Sequence, residues 1–131
     1  MTLANIRDWL KTFGIAEHYY IGKLDNKKEK SLGVYQRQGG NPHIALGGLA
    51  NTKYQVKRVS ILLHWNKNAN ETEITAQQLY DKIITLKEPP VIGNTKVYYI
   101  SMQVPEPVDV GTDDAGVYER VIWMEIYYER R

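Results

Sequence analysis

Hydrophobic and polar positions alternate most cleanly from Tyr54 to Trp65. Side chains alternate across a strand, so Val59, Ile61, Leu63 and Trp65 share one face. Tyr54, Val56 and Leu62 fall on the other, with Arg58 and His64. One greasy and one mixed face is the pattern of a strand beneath a helix. A polar break at 66–70 follows. Asn70 with Glu73 three residues on has the form of a helix start, an amide acceptor followed by a carboxylate at the positive helix end. Ala76, Leu79, Ile83 and Leu86 then recur at spacings of three and four, one helical face. Pro89 and Pro90 stop it, since the residue before a proline avoids the α region. Tyr54 to Lys87 is thus a strand feeding an amphipathic helix, a packing unit with no chemistry of its own.

Leu3, Ile6, Leu10 and Phe13 predict an earlier helix of about 11 residues, with Thr2 as its cap and Gly14 at its end. His18 to Leu24 reads as a strand. The charged turn Asp25–Lys30 follows, then a hairpin partner from Ser31 to Arg37. Gln38 to Lys53 carries Gly39-Gly40-Asn41-Pro42 and Gly47-Gly48 and is a long irregular stretch. Such loops are uncommon in a compact domain and are often functional; this one is expected to be an arm that orders against a neighbour. After the turn Gly93-Asn94-Thr95, a strand runs from Lys96 to Val104, closed by Pro105 and Pro107. Asp109 to Gly116 reads as an acidic loop. Val117 to Arg130 reads as a long last strand, with Ile122, Met124, Ile126 and Tyr128 on one face and Glu119, Val121, Trp123, Glu125, Tyr127 and Glu129 on the other. The order α-β-β-β-α-β-β predicts an α+β domain spanning 1–131, with two helices on one face of a mainly antiparallel sheet of about five strands.

The 131 residues fit one domain, and a chain of this size buries roughly two-thirds of its unfolded surface without a metal or disulfide. There is no cysteine, which removes thiol catalysis, disulfides and cysteine zinc sites. The N-terminus lacks the apolar run of a secretory signal, and no apolar stretch reaches about 18 residues, so a soluble, cytosolic product is expected.

Charge changes the picture more than chemistry does. The net value, +2, is too small to imply nucleic-acid binding. Residues 1–67 hold eleven Lys and Arg against four Asp and Glu; residues 68–131 hold six against eleven. That split arises by chance with internal pairing, or it marks two surfaces of opposite sign, suited to head-to-tail docking of copies into a ring. Ten tyrosines and three tryptophans stand beside one phenylalanine. Tyr and Trp favour interfaces, though strands also favour aromatics.

Catalytic patterns are missing. His18, His43 and His64 are isolated in sequence, with no metal-ligand spacing. No Gly-x-Ser-x-Gly elbow surrounds Ser31, Ser60 or Ser101. Gly47-Gly48 precedes Lys53 without the following Ser or Thr of a phosphate loop. Glu71/Glu73 and Asp113/Asp114 sit at a helix start and in a loop, where acids have local uses. Asp109, Asp113 and Asp114 lack the spacing of a calcium loop. No catalytic residue, cofactor or metal is expected, and the reading is not an enzyme.

Several stretches in order resemble a known family, the minor capsid or tail-terminator proteins of tailed bacteriophages, including prophage copies in Gram-positive bacteria. They are Tyr20-Ile21-Gly22-Lys23-Leu24, Leu32-Gly33-Val34-Tyr35 leading to Gly39-Gly40-Asn41-Pro42, Tyr54 to Leu62 continuing into Ala76-x-x-Leu79-Tyr80-Asp81-x-Ile83, and Tyr118-Glu119-Arg120 to Tyr127-Tyr128-Glu129-Arg130. The resemblance implies an α+β subunit that forms a ring, usually six-fold, at the head-proximal end of the tail. Such a ring stops tube polymerisation and meets the head-completion or connector protein. DNA passes through it without sequence-specific binding, no membrane is involved, and the protein belongs to the virion after assembly in the host cytoplasm. The family has no catalytic residues to carry over. Candidate contacts with the tube or neighbouring subunits are Gly39, Gly40, Asn41, Pro42, His43, Lys57, Arg58, Asp113 and Asp114, in or near 38–53 and 109–116. The alternative is a small nucleic-acid-binding domain using the basic hairpin Lys23, Lys27, Lys28 and Lys30, whose phosphate contacts would weaken steeply with salt.

Overall fold

Thr2 opens the first helix with a reciprocal cap. Its hydroxyl accepts from the Asn5 N–H at 3.2 Å, and the Asn5 side chain accepts from the Thr2 N–H at 2.9 Å. In the computed structural model, which describes residues 1–39 and 44–130, this helix is α1, Leu3–Lys11. It ends two residues before the Phe13 that closes its apolar row, and Ile6 and Leu10 are its buried positions.

Among the described residues seven strands follow: β1 (His18–Ile21), β2 (Ser31–Gln36), β3 (Tyr54–His64), β4 (Val91–Ile92), β5 (Thr95–Met102), β6 (Val108–Thr112) and β7 (Tyr118–Glu129). The second helix, α2 (Ala69–Ile84), lies between β3 and β4. The sheet runs β1-β2-β3-β7-β5-β4, and β6 also pairs with β7. β3 and β7 form its spine, antiparallel and in unbroken register from Tyr54↔Glu129 to His64↔Glu119. The long alternating runs make this pairing, because only one register buries both apolar sets together. Ile61 and Ile122 pair within it, at 0% and 2% exposure. Burying such a side chain contributes about 1.5–3 kcal/mol.

Both helices cover the same face. Ile6 and Leu10 from α1 join Ala76, Leu79 and Ile83 from α2 in one core with Leu32, Val34, Val59, Ile61, Leu63, Met124 and Ile126. The architecture is α+β, as the pattern predicts, with four differences.

First, β1 and β2 are parallel, with His18 opposite Ser31 and Ile21 opposite Val34. Residues 22–30 are therefore not a hairpin turn. Gly22, at φ +65°, bends the chain in a conformation other residues resist, and donates to the Val34 carbonyl at 2.9 Å. The segment then crosses the sheet on the side away from the helices. Leu24 is buried there over Gly33, and Lys30 N–H reaches the Trp65 carbonyl at 2.8 Å.

Second, the acidic stretch from Asp109, expected to be a loop, contains a strand, β6. It pairs Val108 with Val121 and Thr112 with Tyr118, with a bulge between Asp109 and Gly111. Third, β4 pairs with the start of β5. Fourth, α2 begins earlier than Asn70: Asn68 is its cap, accepting from the Glu71 N–H at 3.0 Å. It ends at Ile84, so Leu86 lies past it and is 37% exposed.

Candidate interaction surface

The sheet face away from the helices is half covered. The 22–30 segment closes the end where β3 finishes. His64, fully buried, anchors it: Nε2 lies 3.1 Å from the Asn26 carbonyl and Nδ1 lies 2.9 Å from Glu119 Oε2. Asp113 Oδ2 is 3.7 Å from Nε2. Tyr35 packs under the same segment, and burial pushes its phenol above the usual range.

Towards the start of β3 the face is open. The cross-strand register explains its chemistry. Arg58 faces Glu125, and their Nε and Oε2 atoms are 2.7 Å apart. Glu125 Oε1 also accepts from the Tyr127 hydroxyl and from Gln103 Nε2, each at 3.3 Å. Burial first, and then the Glu125 carboxylate, raise the Tyr127 phenol. Tyr127 lies between Tyr54 and Tyr99, at ring-centroid separations of 5.9 and 5.6 Å. Arg37 stacks 4.5 Å above the Trp123 ring. Tyr99 is 58% exposed and Trp123 36%. These are the residue types that dominate interface energies.

A second patch is acidic and runs along β6 and its two flanks. Asp109 accepts from the Gly111 N–H at 2.8 Å and lies 3.9 Å from Arg120. Asp113 accepts from the Ala115 and Val117 N–H groups, each at 2.9 Å, so its carboxylate shapes the turn. Asp114, Glu106 and Val110 are exposed. Among the described residues, no group of three His, Cys, Asp or Glu is placed to hold a metal ion.

The sequence-derived contact residues therefore separate. Gly40, Asn41, Pro42 and His43 lie outside the described residues. Gly39 passes over the Arg58 side chain. Lys57 pairs with Ile126 and so lies on the helix side, whereas Arg58 is on the open face. Asp113 is engaged inside its turn, and Asp114 is exposed. The lysines of 22–30 are interspersed with Asp25 and Glu29, on a segment pinned to the sheet. That segment also carries basic residues to the acidic end, so the charge split along the chain is not a clean split in space.

Sequence reasoning missed three features. The Arg37–Trp123 stack depends on β2, β3 and β7 lying side by side. His64 sits on the mixed face of β3, but its partner Glu119 is 55 positions away. The sequence predicts an exposed arm, but not its exposed apolar side chains: Ile44 is 55% exposed and Leu49 54%. Arg130 holds this arm through a 2.8 Å bond to the Leu49 carbonyl.

One concavity, about 220 Å³, is an open groove between the end of α2 and β5, lined by Ile84, Leu86, Pro89, Tyr98 and Met102, with Glu88 as its charged residue. It brings no acid–base pair together. Among the described residues, no helix is long and apolar enough to cross a membrane.

The fold is α+β, and its open sheet face and β6 flank expose aromatic and charged side chains. The comparison with protein families is specific: the model of the family described as Bacteriophage tail terminator protein matches residues 2–130, and the chain belongs to that family. No curated protein matches it.

Proposed function

We propose that this protein caps the head-proximal end of a phage tail tube. Copies form a closed ring, six-fold as in the family resemblance, that halts tube polymerisation and offers its other side to the head-completion protein. DNA passes through the centre without base-specific contacts. The observation that carries this reading is the family match over residues 2–130, nearly the whole chain.

The surfaces agree with it. The open face displays Trp123, Tyr54 and Tyr99, and the arm displays Ile44 and Leu49. Exposed apolar groups of this kind mark contact sites. We assign the arm to the tube or to the adjacent subunit.

Immunogold labelling of purified particles tests the placement. Label is expected at the head–tail junction, one cluster per particle. Label spread along the tube, at the distal tip or absent from particles contradicts it.

A further inference from the structure

We propose that the Arg37–Trp123 face of one copy receives the acidic β6 segment, residues 105–114, of the next. This deepens the ring reading and rests on it.

The face makes a particular demand. Arg58 is neutralised by Glu125 at 2.7 Å. Arg37 is different: among the described residues no carboxylate pairs with it, and its guanidinium lies over Trp123. A stacked guanidinium keeps its N–H edge available for a carboxylate. Further along the same face, Tyr54 and Tyr99 pack on Tyr127 and present partly exposed rings. Such a face suits an extended acidic segment with some apolar surface.

The same chain presents that segment elsewhere. Residues 105–114 hold Glu106, Asp109, Asp113 and Asp114 and no Lys or Arg. Val110 among them is 49% exposed. Asp109 and Asp113 are engaged locally, which leaves Glu106, ahead of β6, and Asp114, past its end, as the exposed carboxylates of the segment. The two patches share no residue. Contact between them is therefore heterologous, the type that closes rings. A nucleic acid fits this face less well. Arg37 and Arg58 offset by Glu125 leave one net positive charge, whereas phosphate backbones are held by many cations.

The test is charge-swap complementation. Tagged and untagged full-length copies are co-expressed and recovered together, with melting curves verifying that each variant folds. Wild type retains wild type. Arg37→Glu fails to retain itself, and Glu106→Lys with Asp114→Lys fails to retain itself, each falling at least about tenfold. The two variants together regain wild-type recovery, because the introduced carboxylate of one copy now meets the introduced lysines of the other, and the native pair forms at the alternate contact.

Undiminished self-retention by Arg37→Glu overturns the proposal. So does a mixture no better than either variant alone, or a wild type that associates neither in solution nor on isolated tubes. Loss of DNA retention by Arg37→Glu with self-association intact also overturns it, in favour of a nucleic-acid surface. Tail length in a gene deletion is a separate readout. Restored recovery in the mixture alongside normal tails in the deletion keeps the contact and removes the capping role.

Discussion

His64 and Glu119 face each other across β3 and β7, with Nδ1 2.9 Å from Oε2, while the other ring nitrogen meets the Asn26 carbonyl at 3.1 Å. One fully buried side chain thus ties the sheet's spine to the 22–30 crossover. Its removal leaves the carbonyl and the carboxylate without their partner. His64→Ala is expected to lower unfolding free energy by about 1–3 kcal/mol. Amide hydrogen exchange in 22–30 is expected to rise more than in β7. Equal protection in mutant and wild type contradicts the anchoring role.

Gly33 is constrained by space. A Cβ there would lie 2.9 Å from Tyr35 Cε2 and 3.3 Å from Leu24 Cδ2. Gly33→Ala is expected to cost about 1–3 kcal/mol. In a double-mutant cycle with Leu24→Ala, the combined cost is expected to fall short of the two single costs added, since the second change makes room. Strict additivity in denaturant titrations contradicts the crossover's seat over Gly33.

Asn68 caps α2 through its bond to the Glu71 N–H. Asn68→Ala is expected to cost about 1 kcal/mol, and Asn70→Ala, inside the first turn, much less. Thermal melts decide between them. The reverse order contradicts the observed helix start.

Tyr35 and Tyr128 have phenol groups raised above the ordinary 10.0 by burial. Their folded values exceed their unfolded ones. Their contribution to stability is therefore complete below pH 10 and is lost as pH climbs through the folded values. Tyrosinate absorbance is expected to show a late-titrating fraction, with unfolding on the same alkaline limb. Ionisation of all ten tyrosines together in the folded chain contradicts their burial.

The parts legible in sequence are those with one clean buried face. β3 and β7 each carry one row of core apolar residues, and Thr2 with the Leu3–Ile6–Leu10 row marks α1. What failed depended on partners far along the chain. A short charged connection reads the same whether it turns back or crosses the sheet, so the sequence predicts a hairpin where β1 and β2 run parallel. The asparagines at 66, 68 and 70 offer competing caps, and Asn68 holds the bond. Acidic residues and Gly111 mask β6, whose strand geometry comes from pairing with β7. Adjacent strand positions point to opposite faces, so Lys57 and Arg58 serve different sides of the sheet. The open face stays illegible because Arg37, Arg58 and Trp123 meet only through strand order.

Electron microscopy of tails from a phage lacking this gene tests the central claim most directly. Tubes longer than wild type and heads left unjoined are predicted, with both defects reversed by the gene in trans. Tails of normal length joined to filled, infectious heads would contradict the capping role.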